Sequence, residues 1–440
     1  MGISNILFLL LLTGAIGLFF RNAKKIYRNI FLGKELFRGE KKATRWKILF
    51  LIALGQKKMF SRPIPAILHL FVYVGFILIN IEVLEMFIDG AFGTHRFMSI
   101  LNMNGVNFYN FLIGFFEILA FLVTLGCTIF LIRRNIIRVK RLRMKDLDGW
   151  PKTDANLILI SEILLMSALF VMNAADQTLQ QMGSEHYFSA GNFPISKLIT
   201  PLLTGMSESS LILIERICWW FHIIGILGFL NYLVISKHLH ILLAFPNVFY
   251  SNLKPKGEFT NLQSVTNEVK AMLDPSFTPP PSNPDQPMRF GAKDVFDLSW
   301  KQLLDSYSCT ECGRCTSSCP ANITGKLLSP RKIMMDTRDR LEEVGKNIDH
   351  NGKFVDDGKA LLGNHISAEE LWACTSCNAC VQECPINIDP LSIIIELRRF
   401  TVMEQTAAPQ SLNSMNTNIE NNGAPWQYSP ADRLNWANEN

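Results

Sequence analysis

The sequence predicts a mainly α-helical protein in two parts, a five-helix transmembrane bundle followed by a smaller helical domain on the cytoplasmic side. Of the 440 residues, 48% are hydrophobic and only 18% are charged. So few charges cannot cover the surface of a water-soluble protein of this length, so part of the chain faces lipid. Eight of the ten cysteines fall into two short runs near the C-terminus, which indicates metal binding rather than disulfide bonds.

Five apolar stretches predict the membrane spans. They lie near residues 3–20, 64–88, 106–132, 156–175 and 211–245. Basic residues follow the first stretch, beginning at Arg21, and none precedes it. This order is the reverse of a cleavable secretory signal, so we expect an uncleaved anchor. A sixth stretch, 195–206, is interrupted by Pro201 and is too short to span.

Basic residues are distributed unevenly between the loops. Residues 21–47 contain ten Lys or Arg and residues 133–154 contain eight, whereas the other two loops contain one each, Arg96 and Lys197. By the positive-inside rule, we expect the N-terminus outside and the C-terminal half on the cytoplasmic side of the membrane. Cysteine thiols stay reduced on that side.

The composition changes after the last span. Residues 275–287 are rich in proline, which suits a semi-rigid linker. We expect a five-span membrane domain over 1–250, a linker over 251–295, a helical domain over 296–403 and a polar tail over 404–440. The tail is rich in Asn, and its composition alone predicts disorder.

Both cysteine runs have the spacing C-x2-C-x2-C-x3-C-P. In such a run three cysteines bind one [4Fe–4S] cluster and the fourth reaches the other cluster. We assign Cys309, Cys312, Cys315 and Cys384 to one cluster and Cys374, Cys377, Cys380 and Cys319 to the other. Zinc, the alternative, usually takes separated pairs of cysteines. The 54 intervening residues, with helix-compatible stretches at 330–345 and 367–373, make this part similar to the helical ferredoxin domain of succinate dehydrogenase and heterodisulfide reductase iron–sulfur subunits.

Histidines in the apolar stretches are candidate haem ligands, although a hydrogen-bonded packing role is the alternative. They are His69, His222, His238 and His240. His69 and His240 are expected at similar depth near the cytoplasmic side, so we predict a b-type haem between them, with His238 as a substitute ligand.

His222 lies about 27 Å from His240 along one predicted helix and is a candidate for a second haem. Its partner is missing, because position 79 is Ile. His95 and His186, in the outer loops, are weak candidates for that ligand and are expected to be exposed.

Ionisable residues also occur within the predicted spans. They are Glu82, Glu85, Glu117, Glu162, Glu215 and Arg216. Reduction of a quinone consumes protons, which buried carboxylates can carry, and pairing with Arg or a helix end is an equal alternative. Cys127 and Cys218 are expected to be packing residues.

Three stretches resemble a known family. Residues 69–85, 221–250 and 306–333 are similar to membrane-bound heterodisulfide-reductase-like iron–sulfur oxidoreductases, among them bacterial electron-transfer-flavoprotein:menaquinone oxidoreductases. The membrane part of these proteins is similar to the nitrate reductase gamma subunit, a five-helix cytochrome b. The resemblance covers about residues 60–440. It implies two [4Fe–4S] clusters, one or two b haems and menaquinone as substrate.

Larger members of this family continue into two cysteine-rich CCG domains that bind further clusters and meet the soluble donor. Residues 418–436 look like the segment that leads into those domains. We therefore predict that a separate CCG-domain iron–sulfur subunit binds the tail, with Trp426, Tyr428 and Trp436 as anchors. An unbound tail is the alternative.

The predicted function is electron transfer between a soluble donor, such as electron-transfer flavoprotein, and menaquinone. Complete oxidoreductase activity is expected to need the partner subunit. The sequence contains no G-x-G-x-x-G fingerprint after a strand, so flavin or nicotinamide chemistry is not expected in this chain, nor is nucleic-acid binding. Two alternatives are a quinol-oxidising membrane anchor that feeds a terminal reductase, and a haem-free, cluster-bearing redox sensor.

Overall fold

The computed structural model describes residues 2–102, 107–279 and 289–438. Within these ranges the protein is helical and contains no β-strand. Most of the predicted Pro-rich linker, residues 280–287, lies outside the described residues.

The membrane part contains eight α-helices within the described residues. They are α1 (Ile3–Ile30), α2 (Lys42–Ile48), α3 (Pro63–Phe92), α4 (Phe108–Asn135), α5 (Trp150–Met182), α6 (Thr200–Leu203), α7 (Glu208–Tyr232) and α8 (His240–Phe249). Five of them, α1, α3, α4, α5 and α7, are long and apolar enough to cross a membrane. The predicted five-helix arrangement is thereby confirmed.

Close packing holds the long helices together. α4 lies between α3 and α5, α5 packs against α7, and α1 contacts both α3 and α7. At the α3–α4 contact, a Cβ atom on Gly75 would collide with the side chain of Val123. Small residues allow such close approach between membrane helices, where lipid gives no hydrophobic driving force for association.

The last span ends earlier than the sequence predicts. Instead of continuing to residue 245, α7 stops at Tyr232, two short 3₁₀ turns follow, and the chain resumes as α8 at His240. Asp154 of α5 stabilises this break, because it accepts hydrogen bonds from the Tyr232 and Ser236 hydroxyls at 2.5 and 2.6 Å. The predicted spacing of His222 and His240 along one continuous helix is therefore wrong.

The C-terminal part forms a second helical core. Its helices are α9 (Gln263–Leu273), α10 (Trp300–Ser308), α11 (Arg314–Ser317), α12 (Pro320–Ile323), α13 (Pro330–Asn351), α14 (Ala368–Trp372), α15 (Ala379–Glu383), α16 (Pro390–Met403) and α17 (Gln410–Asn422). Ser299 and Ser367 start α10 and α14 with capping boxes, in which the Ser side chain and a Gln or Glu three residues later satisfy backbone N–H groups. The segment predicted as linker includes α9, and its last residues, Ala292 and Val295, are buried in this core.

The second core packs against the end of the bundle that carries the two basic loops. The Asn29 amide at the end of α1 donates to the Tyr307 hydroxyl at 3.1 Å. Arg331 of α13 forms an ion pair of 2.5 Å with Asp146, in the loop between α4 and α5. The cysteine-rich part and the basic loops therefore lie on the same side of the bundle.

Candidate redox site

The two cysteine runs share one backbone pattern. The residues on either side of the second cysteine have a left-handed backbone in both runs, with φ of 56° at Glu311 and 71° at Gly313, and 58° at Ser376 and 60° at Asn378. Such reversals turn successive cysteines toward a common centre, and a short helix, α11 or α15, then carries each run toward its final cysteine.

Four thiols of the first predicted set lie around one cavity. Cys309, Cys312 and Cys315 line it from the first run, and Cys384 reaches it from the second, together with Cys380, which was predicted for the other cluster. Met334, Ile386 and Ile388 supply an apolar lining. In the described residues no three His, Cys, Asp or Glu side chains converge as the ligands of a single metal ion would. The arrangement is instead a ring of thiols around a space, as a cluster of several irons needs.

Burial of these thiols opposes their ionisation. It raises the pKa of Cys309 to about 12 and that of Cys384 to about 11, and neighbouring thiols of the same set add to the effect. Only the thiolate is a strong metal ligand, so the set needs positive charge at its centre to hold its ligand form. Iron supplies that charge, and the residues therefore fit a [4Fe–4S] cluster.

The second predicted set is nearer the surface. Burial raises the pKa of Cys380, and the thiols of Cys374 and Cys319 raise it further. Burial raises the pKa of Cys374 as well, and the nearby thiols of Cys319 and Cys377 raise it further. Cys377 is exposed. Cys319 of the first run thus lies near the second set and Cys384 of the second run near the first, although Cys380 also lines the first cavity. The crossed assignment stays a prediction.

The first set faces the membrane bundle. Arg141, in the loop after α4, donates to the Cys312 carbonyl oxygen. Arg314 of α11 donates to the carbonyl oxygens of Lys58 and Met59 at 3.2 and 3.4 Å. Residues 57–61 lead directly into α3, so the first cysteine loop rests on the segment that begins the second span.

Two of the predicted histidines are paired close to this loop. The ring centroids of His69 in α3 and His240 in α8 are 6.5 Å apart. The Nδ1 atom of His69 lies 3.1 Å from Gln56 Oε1, and that of His240 lies 3.2 Å from the Lys237 carbonyl oxygen. With Nδ1 satisfied in each ring, Nε2 is the nitrogen left for a metal, which is the usual arrangement of second-shell hydrogen bonds.

The centroid distance fits a metal held between the two rings. Two metal–nitrogen bonds of about 2 Å each, plus about 1 Å from each nitrogen to its ring centre, place the centroids about 6 Å apart. The predicted substitute, His238, lies beside this pair, with its centroid 5.4 Å from that of His240.

His222 stands apart from the other predicted ligands. It is 1% exposed, and its Nδ1 lies 3.0 Å from the Leu165 carbonyl oxygen of α5. The two outer-loop histidines lie together, with ring centroids 5.7 Å apart. His186 is exposed as expected, whereas the side chain of His95 is only 8% exposed and lies 3.5 Å from Asp176.

Three residues of the site were not predicted from the sequence. Gln56, Lys237 and Glu311 connect the cysteine loop to the histidine pair. Lys237 forms a buried ion pair with Glu311 of the first cysteine run, and Arg338 binds the same carboxylate at 2.8 Å. The position of Lys237 beside His238 was a signal available in the sequence, whereas nothing local distinguishes Gln56.

Comparisons with known proteins agree with this geometry. A family described as 4Fe-4S dicluster domain matches residues 308–388. The chain is 28% identical to a probable iron-sulfur-binding oxidoreductase, FadF, of Bacillus subtilis, over 99% of this chain and 61% of the relative. It is 27% identical to an EtfAB:quinone oxidoreductase of Syntrophomonas wolfei, over 92% of this chain and 55% of the relative. The chain therefore spans less than two thirds of the length of these relatives.

A shorter similarity concerns the cysteine-rich part. One of the subunits of a ferredoxin/F(420)H(2)-dependent CoB-CoM heterodisulfide reductase of Methanosarcina acetivorans is 34% identical over 27% of this chain and 60% of the relative. No solved structure matches the chain significantly.

These findings define the class of protein. The chain contains a helical 4Fe-4S dicluster domain and five helices apolar enough to cross a membrane, and it is similar to proteins named as iron–sulfur oxidoreductases. More closely, it is similar to heterodisulfide-reductase-like iron–sulfur oxidoreductases, in agreement with the resemblance of its motifs.

Proposed function

We propose that the chain is a membrane-bound subunit that transfers electrons between a soluble donor and menaquinone through two [4Fe–4S] clusters and b-type haem. The donor is electron-transfer flavoprotein or a similar protein, acting through a CCG-domain iron–sulfur partner. The name of the Syntrophomonas relative, an EtfAB:quinone oxidoreductase, supports this choice of donor and acceptor. Residues 1–250, 251–295, 296–403 and 404–440 serve as membrane domain, connecting segment, ferredoxin domain and partner-binding tail.

The cysteine ligands are proposed as the crossed sets. Cys309, Cys312, Cys315 and Cys384 hold the cluster that faces the bundle, and Cys374, Cys377, Cys380 and Cys319 hold the outer one. Exposed Cys377 marks the face where a donor approaches, and the first set marks the face toward the membrane.

One haem is proposed between His69 and His240, where it supplies a one-electron carrier within the bundle. The 6.5 Å separation of the two rings, directly beside the first cysteine loop, is the observation that carries this proposal. His238 is the substitute ligand and His222 the candidate for a second haem.

The proposed location is the bacterial inner membrane, with the N-terminus outside and the ferredoxin domain in the cytoplasm. Two observations support it. The ferredoxin domain packs at the end of the bundle with the basic loops, and that end faces the cytoplasm by the positive-inside rule. The cytoplasm also keeps cluster thiols reduced.

Haem quantitation on the purified chain tests the proposal. The reduced-minus-oxidised spectrum of wild type should contain b-type bands, and haem content should fall in His69→Ala and His240→Ala. His350→Ala is a matched control because this histidine is exposed in the ferredoxin domain. Wild type without b-type bands would favour the haem-free sensor. Loss of all haem in His222→Ala alone would overturn the ligand pairing.

A further inference from the structure

A second polar cavity opens at the end of the bundle opposite the ferredoxin domain. It has a volume of about 180 Å³, room for several water molecules. Its walls are the first residues of α1, the second half of α3, the loop after α3, the last part of α5 and the start of α7. Its inner wall includes Glu82, Met86 and Trp219. Glu82 lies about 15 Å along α3 from the end of that helix at Phe92, by the helical rise.

Most charged groups around this cavity are already paired. Arg96 contacts Asp176 at 2.6 Å and donates to the Asn173 side chain at 2.9 Å. Arg216 binds the Glu215 carboxylate, with Nη2 2.5 Å from Oε1. For Glu215, one of the acids within the predicted spans, the structure therefore shows pairing with Arg, which was one of the two alternatives that the sequence left open.

Two further acids are held by neutral hydrogen-bond donors. Glu85 accepts the Tyr109 hydroxyl at 2.9 Å and the Met98 backbone N–H at 2.8 Å. Glu117 accepts the backbone N–H of Ile195 at 2.9 Å and the side-chain amide of Asn173 at 3.2 Å. Both carboxylates are therefore fixed in place.

Glu82 differs from all of these acids. It is 3% exposed and lines the cavity, yet among the described residues neither carboxylate oxygen accepts a hydrogen bond of normal length. The neighbouring donor is the Asn173 amide, which donates to Glu117 at 3.2 Å instead. The charged groups that face it are Arg96, Glu85 and Glu117, so the acids outnumber the single cation, which Asp176 already pairs. Burying an ionised carboxylate without a partner costs several kcal/mol, and a bound proton removes that cost.

We propose that Glu82 is a proton-exchange site that equilibrates with solvent through this cavity and serves the quinone chemistry of the membrane part. This inference rests on the proposed function. A quinone that accepts two electrons from the redox chain also takes up two protons, one on each carbonyl oxygen, and oxidation of the quinol releases them. Glu82 carries these protons one at a time between the quinone and the water of the cavity. After each transfer, proton exchange with this water returns the Glu82 carboxyl group to its starting protonation state.

The geometry of the cavity favours a proton over a metal cation as the occupant. Of the carboxylates that line it, those of Asp176 and Glu215 are paired with Arg96 and Arg216, and among the described residues no three His, Cys, Asp or Glu side chains converge as metal ligands would. A proton instead binds covalently to one oxygen and leaves a neutral acid, which the apolar side chains of Met86 and Trp219 accommodate.

Infrared difference spectroscopy on the full-length chain in nanodiscs tests the protonation directly. Electrochemical reduction should change the C=O band of a protonated carboxyl group, and transfer to D2O should shift that band. The band should be absent from Glu82→Gln and present in Glu185→Gln. Glu185 is a matched control, because it is exposed in the loop beside His186 of the same cavity. A band that persists unchanged in Glu82→Gln would overturn the inference.

Stopped-flow reduction of the chain by a pre-reduced short-chain naphthoquinol tests the role in quinone chemistry. Glu82→Gln should slow quinol-driven haem reduction roughly 100-fold, because it removes a proton acceptor. Reduction by dithionite, which releases no quinol protons, should keep its wild-type rate, and Glu82→Asp should recover part of the loss. Wild-type rates in Glu82→Gln would overturn the inference while the proposed function stands. Failure of the quinol to reduce wild type would count against the proposed function, whereas the infrared result would still decide whether Glu82 binds a proton.

Discussion

Replacing Lys237 by Met removes the ammonium group that connects the membrane part to the first cysteine loop. Its Nζ atom binds the carboxylate of Glu311 and donates to the Pro151 carbonyl oxygen at 2.6 Å. Both charged side chains are buried, at 9% and 3% exposure. We therefore expect the loss of this group to weaken the packing of the ferredoxin domain against the bundle.

The magnitude follows from what remains after the change. Removing one partner of a buried ion pair costs about 3–5 kcal/mol, because the other charge stays buried without compensation. Glu311 keeps its ion pair with Arg338 at 2.8 Å. Asp154, whose carboxylate lies 3.8 Å from the Lys237 Nζ atom, keeps its hydrogen bonds from the Tyr232 and Ser236 hydroxyls. The lower end, about 3 kcal/mol, therefore applies. At about 2–4 °C per kcal/mol, the unfolding midpoint of Lys237→Met should fall by about 6–12 °C.

The assay is thermal loss of the cluster absorbance in detergent solution. Lys254→Met is the matched control, because Lys254 forms a 2.8 Å ion pair with Glu258 in which both side chains are about half exposed. Such a surface pair contributes about 0–1 kcal/mol, so its loss should hardly move the midpoint. A midpoint for Lys237→Met no lower than that of the control would refute the reasoning.

Three further predictions concern the same machinery and its partner. Burial alone raises the pKa of Glu311, but its ion pairs with basic side chains hold this pKa below its ordinary value, so their stabilisation is present above about pH 4.3 and is lost as the pH falls through the lower folded-state pKa. Cluster absorbance should therefore fall more steeply with acid in wild type than in Glu311→Gln, and parallel curves would contradict this. Gln56→Leu removes the acceptor at His69 Nδ1 and should weaken haem retention about 10–100-fold, measured as haem content after dilution, and full retention would count against it. Trp426 and Trp436 are 54% and 72% exposed, so changing both to Ala should abolish co-purification of an iron–sulfur partner while cluster content stays constant, and undiminished partner recovery would rule the tail out.

The features predicted from the sequence are those set by local pattern. A run of apolar residues long enough to cross a bilayer forms a helix there, because each backbone polar group must be hydrogen-bonded within the segment. The helices that separate the cysteine runs were likewise predicted, at 330–345 and 367–373, and they occur as α13 and α14.

Features that depend on tertiary contacts were not predicted. No proline or glycine marks a break in residues 233–239, yet hydrogen bonds to the carboxylate of Asp154, on another helix, stabilise one there. Gln56 contacts His69 from the start of the 3₁₀ turn 57–61, where its backbone is left-handed, with φ of 48°. The tail was predicted to be disordered from its Asn content, and it contains the helix Gln410–Asn422. Glu82 could be identified as intramembrane from sequence, but its lack of a partner depends on how its neighbours pair.

The crossed assignment of the fourth cysteines makes a prediction that separates it from a simple run-by-run assignment. Cys384 belongs to the second run in sequence but lies at the cavity of the first, where burial and the Cys312 thiol raise its pKa. Cys384→Ser should therefore perturb the same electron paramagnetic resonance signal as Cys312→Ser, and Cys319→Ser should perturb the signal that Cys377→Ser perturbs. Because each variant is matched only against the others, neither signal has to be assigned to a cluster beforehand. If Cys384→Ser instead reproduced the spectrum of Cys377→Ser, each run would hold its own cluster, and the cavity shared by the two runs would need another explanation.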